Sequence, residues 1–149
     1  VKRSRFFSVL SAASLYPYAF GISDDKNGAS AVLQRLELKY GLSASEYRGK
    51  DVYFQWDYPC MWPYTTYIAF RALLNVGLTA DADRIADKYM QTVEKNFVLT
   101  GRIWEKYDAS NGKIAETSEY DTPEMMGWSA AIYRFFNERE KALKIFLAW

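Results

Sequence analysis

Four stretches of apolar residues at helical spacing are joined by a long connection, a tight turn and a second long connection. That alternation constrains the fold more than any single motif. The first stretch begins where Asp24 or Asp25 can cap a helix running to about Tyr40. Val32, Leu33, Leu36 and Tyr40 then share one face, and Gly41 is a natural stop. The second covers about Tyr64 to Val76, with Ile68, Ala69, Ala72 and Val76 as its stripe and Gly77 at its end. Thr79 is placed to cap a third, about Ala80 to Phe97, whose Ile85, Ala86, Tyr89, Met90, Val93 and Phe97 recur every three or four residues. Asp121 or Thr122 can cap a fourth, with Pro123 in its first turn, running to about Glu138 ahead of an amphipathic tail, Ala142 to Trp149. The segment from Arg5 to Ile22 reads as extended or irregular, with Phe6, Phe7, Leu10, Leu15 and Phe20 packed inward.

The tight turn makes the second and third helices antiparallel neighbours. If the other pairs are antiparallel too, the long connections, about Leu42 to Pro63 and Val98 to Thr122, emerge at the same end of an all-α fold of helical hairpins. Residues carried on both loops then converge, as a loop-built site requires.

Composition removes several alternatives. The chain has no histidine, so Ser-His-Asp and Cys-His schemes and most zinc sites are excluded. Cys60 is its one cysteine, which rules out an internal disulfide framework and reads as a small buried hydrophobe. It leaves the compartment open, with a cytoplasmic one slightly favoured. The net charge is +1 and the one basic cluster is Lys2, Arg3 and Arg5, so a nucleic-acid partner is not expected. No apolar run reaches the length of a membrane span, and no membrane partner is expected. Asp81, Asp83 and Asp87 read as a solvated helix face without metal-loop spacing, and no cofactor is expected.

Both long loops carry carboxylates set among rings. The first holds Gln55-Trp56-Asp57-Tyr58-Pro59 and then Trp62-Pro63; the second holds Trp104-Glu105-Lys106-Tyr107-Asp108. Aromatic residues make up 17% of the chain, more than core filling needs. Flat rings stack on the apolar faces of a pyranose, and carboxylates accept its hydroxyl hydrogens. A carboxylate beside apolar bulk also suits acid–base chemistry, so a small saccharide is the expected ligand.

At these residues the chain resembles the trehalase family of glycoside hydrolases. The resemblance rests on Gln55-Trp56-Asp57-Tyr58-Pro59 with Trp62-Pro63, on Leu73-Leu74-Asn75-Val76-Gly77, and on Gly101-Arg102-Ile103-Trp104-Glu105-Lys106-Tyr107-Asp108. Glu119-Tyr120 and Gly127-Trp128-Ser129-Ala130 follow in the same order, so it extends over about Phe6 to Phe136. It implies the C-terminal portion of an α/α toroid of the six-hairpin glycosidase type, as a single unit spanning residues 1–149, and an inverting mechanism. It matches Glu105 to the catalytic general base, Gln55, Trp56 and Asp57 to pocket-lining positions, and Glu119 to a substrate-binding carboxylate. The family's general acid is an aspartate well upstream of the Gln-Trp-Asp motif, and no stretch here matches it. The isolated chain is therefore expected to be inactive, and its uncovered apolar faces to favour self-association or a complementary N-terminal half.

Other readings stay open beside these. Asp57 also suits a hydrogen-bond acceptor at a helix entry. Glu105 also suits a solvated loop carboxylate paired with Lys106, and Glu116 competes with Glu119. Trp62 and Trp128 read as packing residues. The alternative to an enzyme is a carbohydrate-binding or assembly module of the same fold that has lost hydrolysis.

Overall fold

A computed structural model describes residues 9–49, 54–124 and 127–146, with side chains to Arg139. Phe6, Phe7 and the basic cluster at the start lie outside these residues. A single 3₁₀ turn, Ala12–Leu15, leads into α1 (Tyr16–Ala19). Then follow α2 (Lys26–Leu36), the hairpin β1 (Glu37–Leu38) and β2 (Gly41–Leu42), and the short strand β3 (Cys60–Met61). The remainder is α3 (Pro63–Asn75), α4 (Thr79–Thr100), β4 (Tyr107–Asp108) and α5 (Gly127–Phe146). The fold is mostly helical, and β3 pairs antiparallel with β4 as a two-stranded link between the long loops.

The central pair is α3 and α4. Gly77, at φ 73, makes the turn between them in a conformation that costs a glycine little. Its N–H donates to Leu74 O, and Leu78 N–H to Leu73 O, closing the end of α3. Ala69, Phe70, Ala72 and Leu73 from α3 meet Ala82, Ile85, Ala86, Tyr89 and Val93 from α4. Phe136 of α5, Tyr107 of β4, and Leu15, Leu33, Leu36 and Leu42 belong to the same core. Each such large side chain contributes about 1.5–3 kcal/mol by leaving water.

Several expected boundaries move, for identifiable reasons. Asp25 does cap α2, accepting from Gly28 N–H at 3.0 Å. The helix ends at Leu36, however, because Glu37 turns away as the acceptor of Arg84 and Lys88 on α4. Tyr40 and Gly41 are therefore hairpin residues. Thr79 is the first residue of α4 and not its cap; Leu78 holds the cap position without a side-chain bond. α4 continues to Thr100, since nothing breaks it before Gly101. The fourth helix starts at Gly127, because Pro123 and Glu124 pair instead with the Glu105 loop. Neither Asp121 nor Thr122 caps it. It then runs unbroken to Phe146, absorbing most of the expected tail.

The irregular Arg5–Ile22 reading is corrected by the 3₁₀ turn and α1. Leu15 is buried there, but Phe20 stands 67% exposed, against the inward expectation. Phe97 is likewise 50% exposed, because the α4 stripe leaves the core one turn before the helix ends. Asp81 pairs with Arg84 within α4, and Asp83 and Asp87 both pair with Arg139 of α5.

Candidate active site

The two long loops do meet. Cys60 and Met61 pair with Asp108 and Tyr107, and Ala109 N–H donates to Pro59 O at 2.9 Å. The Tyr58–Pro59 peptide is cis. Between the loops stands a wall of rings. Trp62 is 1% exposed at its centre. Trp56 stacks on it at 4.2 Å and 13°, and Trp128 meets it edge-on at 5.4 Å. Tyr64 lies parallel to Trp128 at 6.5 Å. Trp62 and Trp128 are thus packing residues, while Trp56 keeps 47% of its surface open.

Gln55 ties the loops together. Its backbone N–H donates to Glu119 Oε2 at 2.6 Å, and its Nε2 to Glu119 Oε1 at 3.5 Å. Its carbonyl accepts from Trp62 Nε1–H at 2.6 Å. Its side-chain Oε1 lies 2.8 Å from the Tyr120 hydroxyl. Asp57 is half-buried in the turn that its N–H closes on Phe54 O. Trp62, five residues on, holds the cap position of α3.

Glu105 is the one buried carboxylate among the described residues, at 7% exposure. It is not a solvated loop residue. Its backbone is pinned at both ends: its N–H donates to Pro123 O at 3.1 Å, and its carbonyl accepts from Ser129 Oγ at 3.3 Å. The Ser129 carbonyl in turn accepts from Tyr89 of α4. The Gly-Trp-Ser start of α5 thus anchors Glu105 to the core. Lys106 Nζ donates to Glu105 Oε2 at 3.0 Å, and the Tyr120 hydroxyl reaches the same oxygen at 2.7 Å. A carboxylate with a cation beside it is compatible with burial, whereas an unpaired one is not.

Tyr120 carries one proton and faces two acceptors, Glu105 Oε2 and Gln55 Oε1. Burial pushes its hydroxyl pKa above the ordinary value, and the hydrogen bond to Glu105 and the charges of Glu105 and Glu119 push it further. Tyr120 therefore stays protonated as a donor. Burial likewise raises the Cys60 thiol to about 12, which removes it as a nucleophile near neutrality.

The structure brings Gln55, Trp56, Glu105 and Glu119 into one contact network, with Asp57 in the adjoining turn. Glu116 is separate. It lines a groove with Pro59, Asp108, Asn111 and Lys113. Among the described residues no three metal-ligating side chains stand together. Sequence reasoning gave Tyr120 no role of its own and gave Lys106 only as a surface partner. The one signal in the sequence was that Lys106 stands beside Glu105 and among Trp104 and Tyr107; its burial is set by the fold.

This fold and site define a class before they define a family. The neutral trehalase Nth1 from Saccharomyces cerevisiae matches with a TM-score of 0.74 at 26% identity, over 93% of this chain and 25% of that one. The GH63 mannosylglycerate hydrolase from Thermus thermophilus, solved in complex with glucose, matches with a TM-score of 0.66 at 18% identity, over 89% of this chain and 31% of that one. An uncharacterised conserved protein from the same bacterium gives 0.65 at 18%, over 87% and 31%. The helical hairpins are therefore part of the toroid fold that trehalases and GH63 hydrolases share, and the chain spans about a quarter to a third of those proteins. The trehalase family model matches residues 2–139, and the chain belongs to that family.

Proposed function

We propose that these residues form the general-base side of an inverting glycosidase of trehalase type that acts on an α-glucoside such as trehalose. The observation that carries this reading is the environment of Glu105, a buried carboxylate with a fixed backbone and one oxygen held by two donors. Such a group takes a proton from water at defined geometry, and general bases of this kind contribute about 10²–10⁴-fold to rate. The activated water attacks the anomeric carbon as the glycosidic bond breaks. A second carboxyl, about 6.5–9.5 Å from the base in inverting enzymes, protonates the leaving oxygen. No aspartate here matches the family's acid, so that group comes from outside these residues. The open face of Trp56 stacks on the sugar, while Gln55, Asp57 and Glu119 hold its hydroxyls. A carboxylate base of this kind needs no metal or organic cofactor.

Glu105→Gln in the full-length protein carrying this chain should lower kcat for trehalose by about 10²–10⁴-fold with KM largely intact. Trp56→Ala should instead raise KM, since stacking acts on the bound substrate as well. Undiminished kcat in Glu105→Gln would place the base elsewhere, with Glu119 the first candidate. Saccharide binding without hydrolysis by the wild-type protein would favour the binding module.

A further inference from the structure

We propose that Lys106 and Tyr120 are positioning residues that grip Glu105 by Oε2 alone, and so make Oε1 the oxygen that takes the proton from water. This rests on the reading of Glu105 as the base. Lys106 is fully buried, and among the described residues its Nζ donates to no acceptor other than Glu105 Oε2. The ammonium also lies over two ring faces, Tyr120 at 3.9 Å and Trp62 at 5.4 Å. A cation held between rings and one carboxylate oxygen has a fixed place. The Tyr120 hydroxyl reaches the same oxygen at 2.7 Å. Its single proton goes to the charged carboxylate in preference to the neutral Gln55 amide, since hydrogen bonds to ionised groups are the stronger.

Three other carboxylates that are hydrogen-bonded within the fold give both oxygens. Glu37 uses both oxygens, Oε1 for Arg84 and Lys88 and Oε2 for Arg84. Asp108 uses both, for Ser110 and Asn111. Glu119 gives both to Gln55. In those three, both oxygens already accept a hydrogen bond from the chain. Glu105, more buried than any of them, gives up one oxygen and keeps the other. Its Oε1 accepts no hydrogen bond from a described residue. Nor is it sealed in, because among the described residues the one fully occluded side-chain nitrogen or oxygen without a partner is Trp128 Nε1. An oxygen that is unbonded and still reachable is where a water sits when it loses its proton. The backbone bonds to Pro123 and Ser129 fix the stem, so the two donors to Oε2 set the plane of the carboxylate.

If Lys106 and Tyr120 form a prearranged carboxylate grip, it survives removal of the carboxylate. Glu105→Ala leaves the two donors facing a space that formate fits. Isotopically labelled formate, followed by NMR, should bind Glu105→Ala, and adding Tyr120→Phe should weaken that binding by about tenfold, the loss of one hydrogen bond to a charged group. Adding Lys106→Met should abolish it; if that variant fails to fold, Tyr120→Phe carries the comparison by itself. In the full-length protein, Tyr120→Phe should lower kcat for trehalose by about tenfold, with KM within about twofold. Formate should restore turnover to Glu105→Ala, and at higher concentration to the Tyr120→Phe double variant. Equal formate binding with and without the Tyr120 hydroxyl, or no binding at all, overturns the grip. Full turnover in Glu105→Gln overturns the base reading instead, so the two failures are distinguishable.

Discussion

Replacing Trp62 by phenylalanine tests how the ring wall supports the site. Trp62 is 1% exposed, stacks on Trp56 at 4.2 Å, and donates its indole N–H to the Gln55 carbonyl at 2.6 Å. Phenylalanine keeps a ring but loses two ring carbons and the nitrogen. At about 0.8 kcal/mol per buried carbon, the lost burial costs ~1.6 kcal/mol. Gln55 is only half-buried, so water partly replaces the lost donor, and that term is no more than ~1 kcal/mol. The small void and the weakened stack with Trp56 add roughly another 0.5 kcal/mol. The sum, about 2–3 kcal/mol, is a large part of a typical domain's ~5–15 kcal/mol. Denaturant unfolding followed by circular dichroism measures it, with the midpoint falling at unchanged slope. Because Gln55 then loses its anchor, the Trp56 face should also bind trehalose more weakly by tryptophan fluorescence. A loss below about 0.5 kcal/mol would mean that the indole N–H and packing contribute nothing net, and would refute the additive reasoning.

Glu37→Gln should destabilise at neutral pH by about 1–3 kcal/mol, since it removes charge-assisted bonds to Arg84 and Lys88. Burial raises the Glu37 pKa, but those bonds outweigh it and leave the group below its ordinary 4.5. Its contribution is therefore complete above its ordinary 4.5 and lost as pH falls through the lowered folded-state value, so the gap to wild type in thermal unfolding should close on acidification below that pH. A gap independent of pH would contradict this. Gly112→Ala should cost about 2–4 kcal/mol, because Gly112 sits at φ +71 and a Cβ there would lie 2.7 Å from the Tyr40 ring; unchanged unfolding would show that this turn is not fixed as described. Cys60, buried and with its thiol raised to about 12, should resist a thiol reagent at pH 8 until the protein unfolds, and stoichiometric labelling of the native chain within minutes would argue against that burial.

The helices were legible because their apolar residues recur on one face, and Gly77 stops one of them as expected. Asp25 and Gly77 act as local signals say, whereas Gly101, which ends α4 three residues past Phe97, is not an expected stop. What was not legible depends on partners far along the chain. Nothing near Glu37 shows that Arg84 and Lys88 will claim it and end α2 early. Nothing near Thr122 shows that Pro123 and Glu124 will pair with the Glu105 loop and delay α5. The convergence of the two motif loops followed from alternating loop lengths and is seen in the β3–β4 pairing. The chemistry around Glu105 was half legible. Its neighbours suggested burial, but Tyr120, fifteen residues on, is brought to it only by the fold.

The stereochemistry of the product tests the central claim most directly. Trehalose joins two glucose units through both anomeric carbons in the α configuration. A Glu105-activated water attacking one of them from the opposite face inverts that carbon and leaves the other untouched. Proton NMR of the full-length protein's products, read before mutarotation, should show one β-glucose for each α-glucose. Two α-glucose per trehalose cleaved would mean retention, and Glu105 would not be a base that activates water.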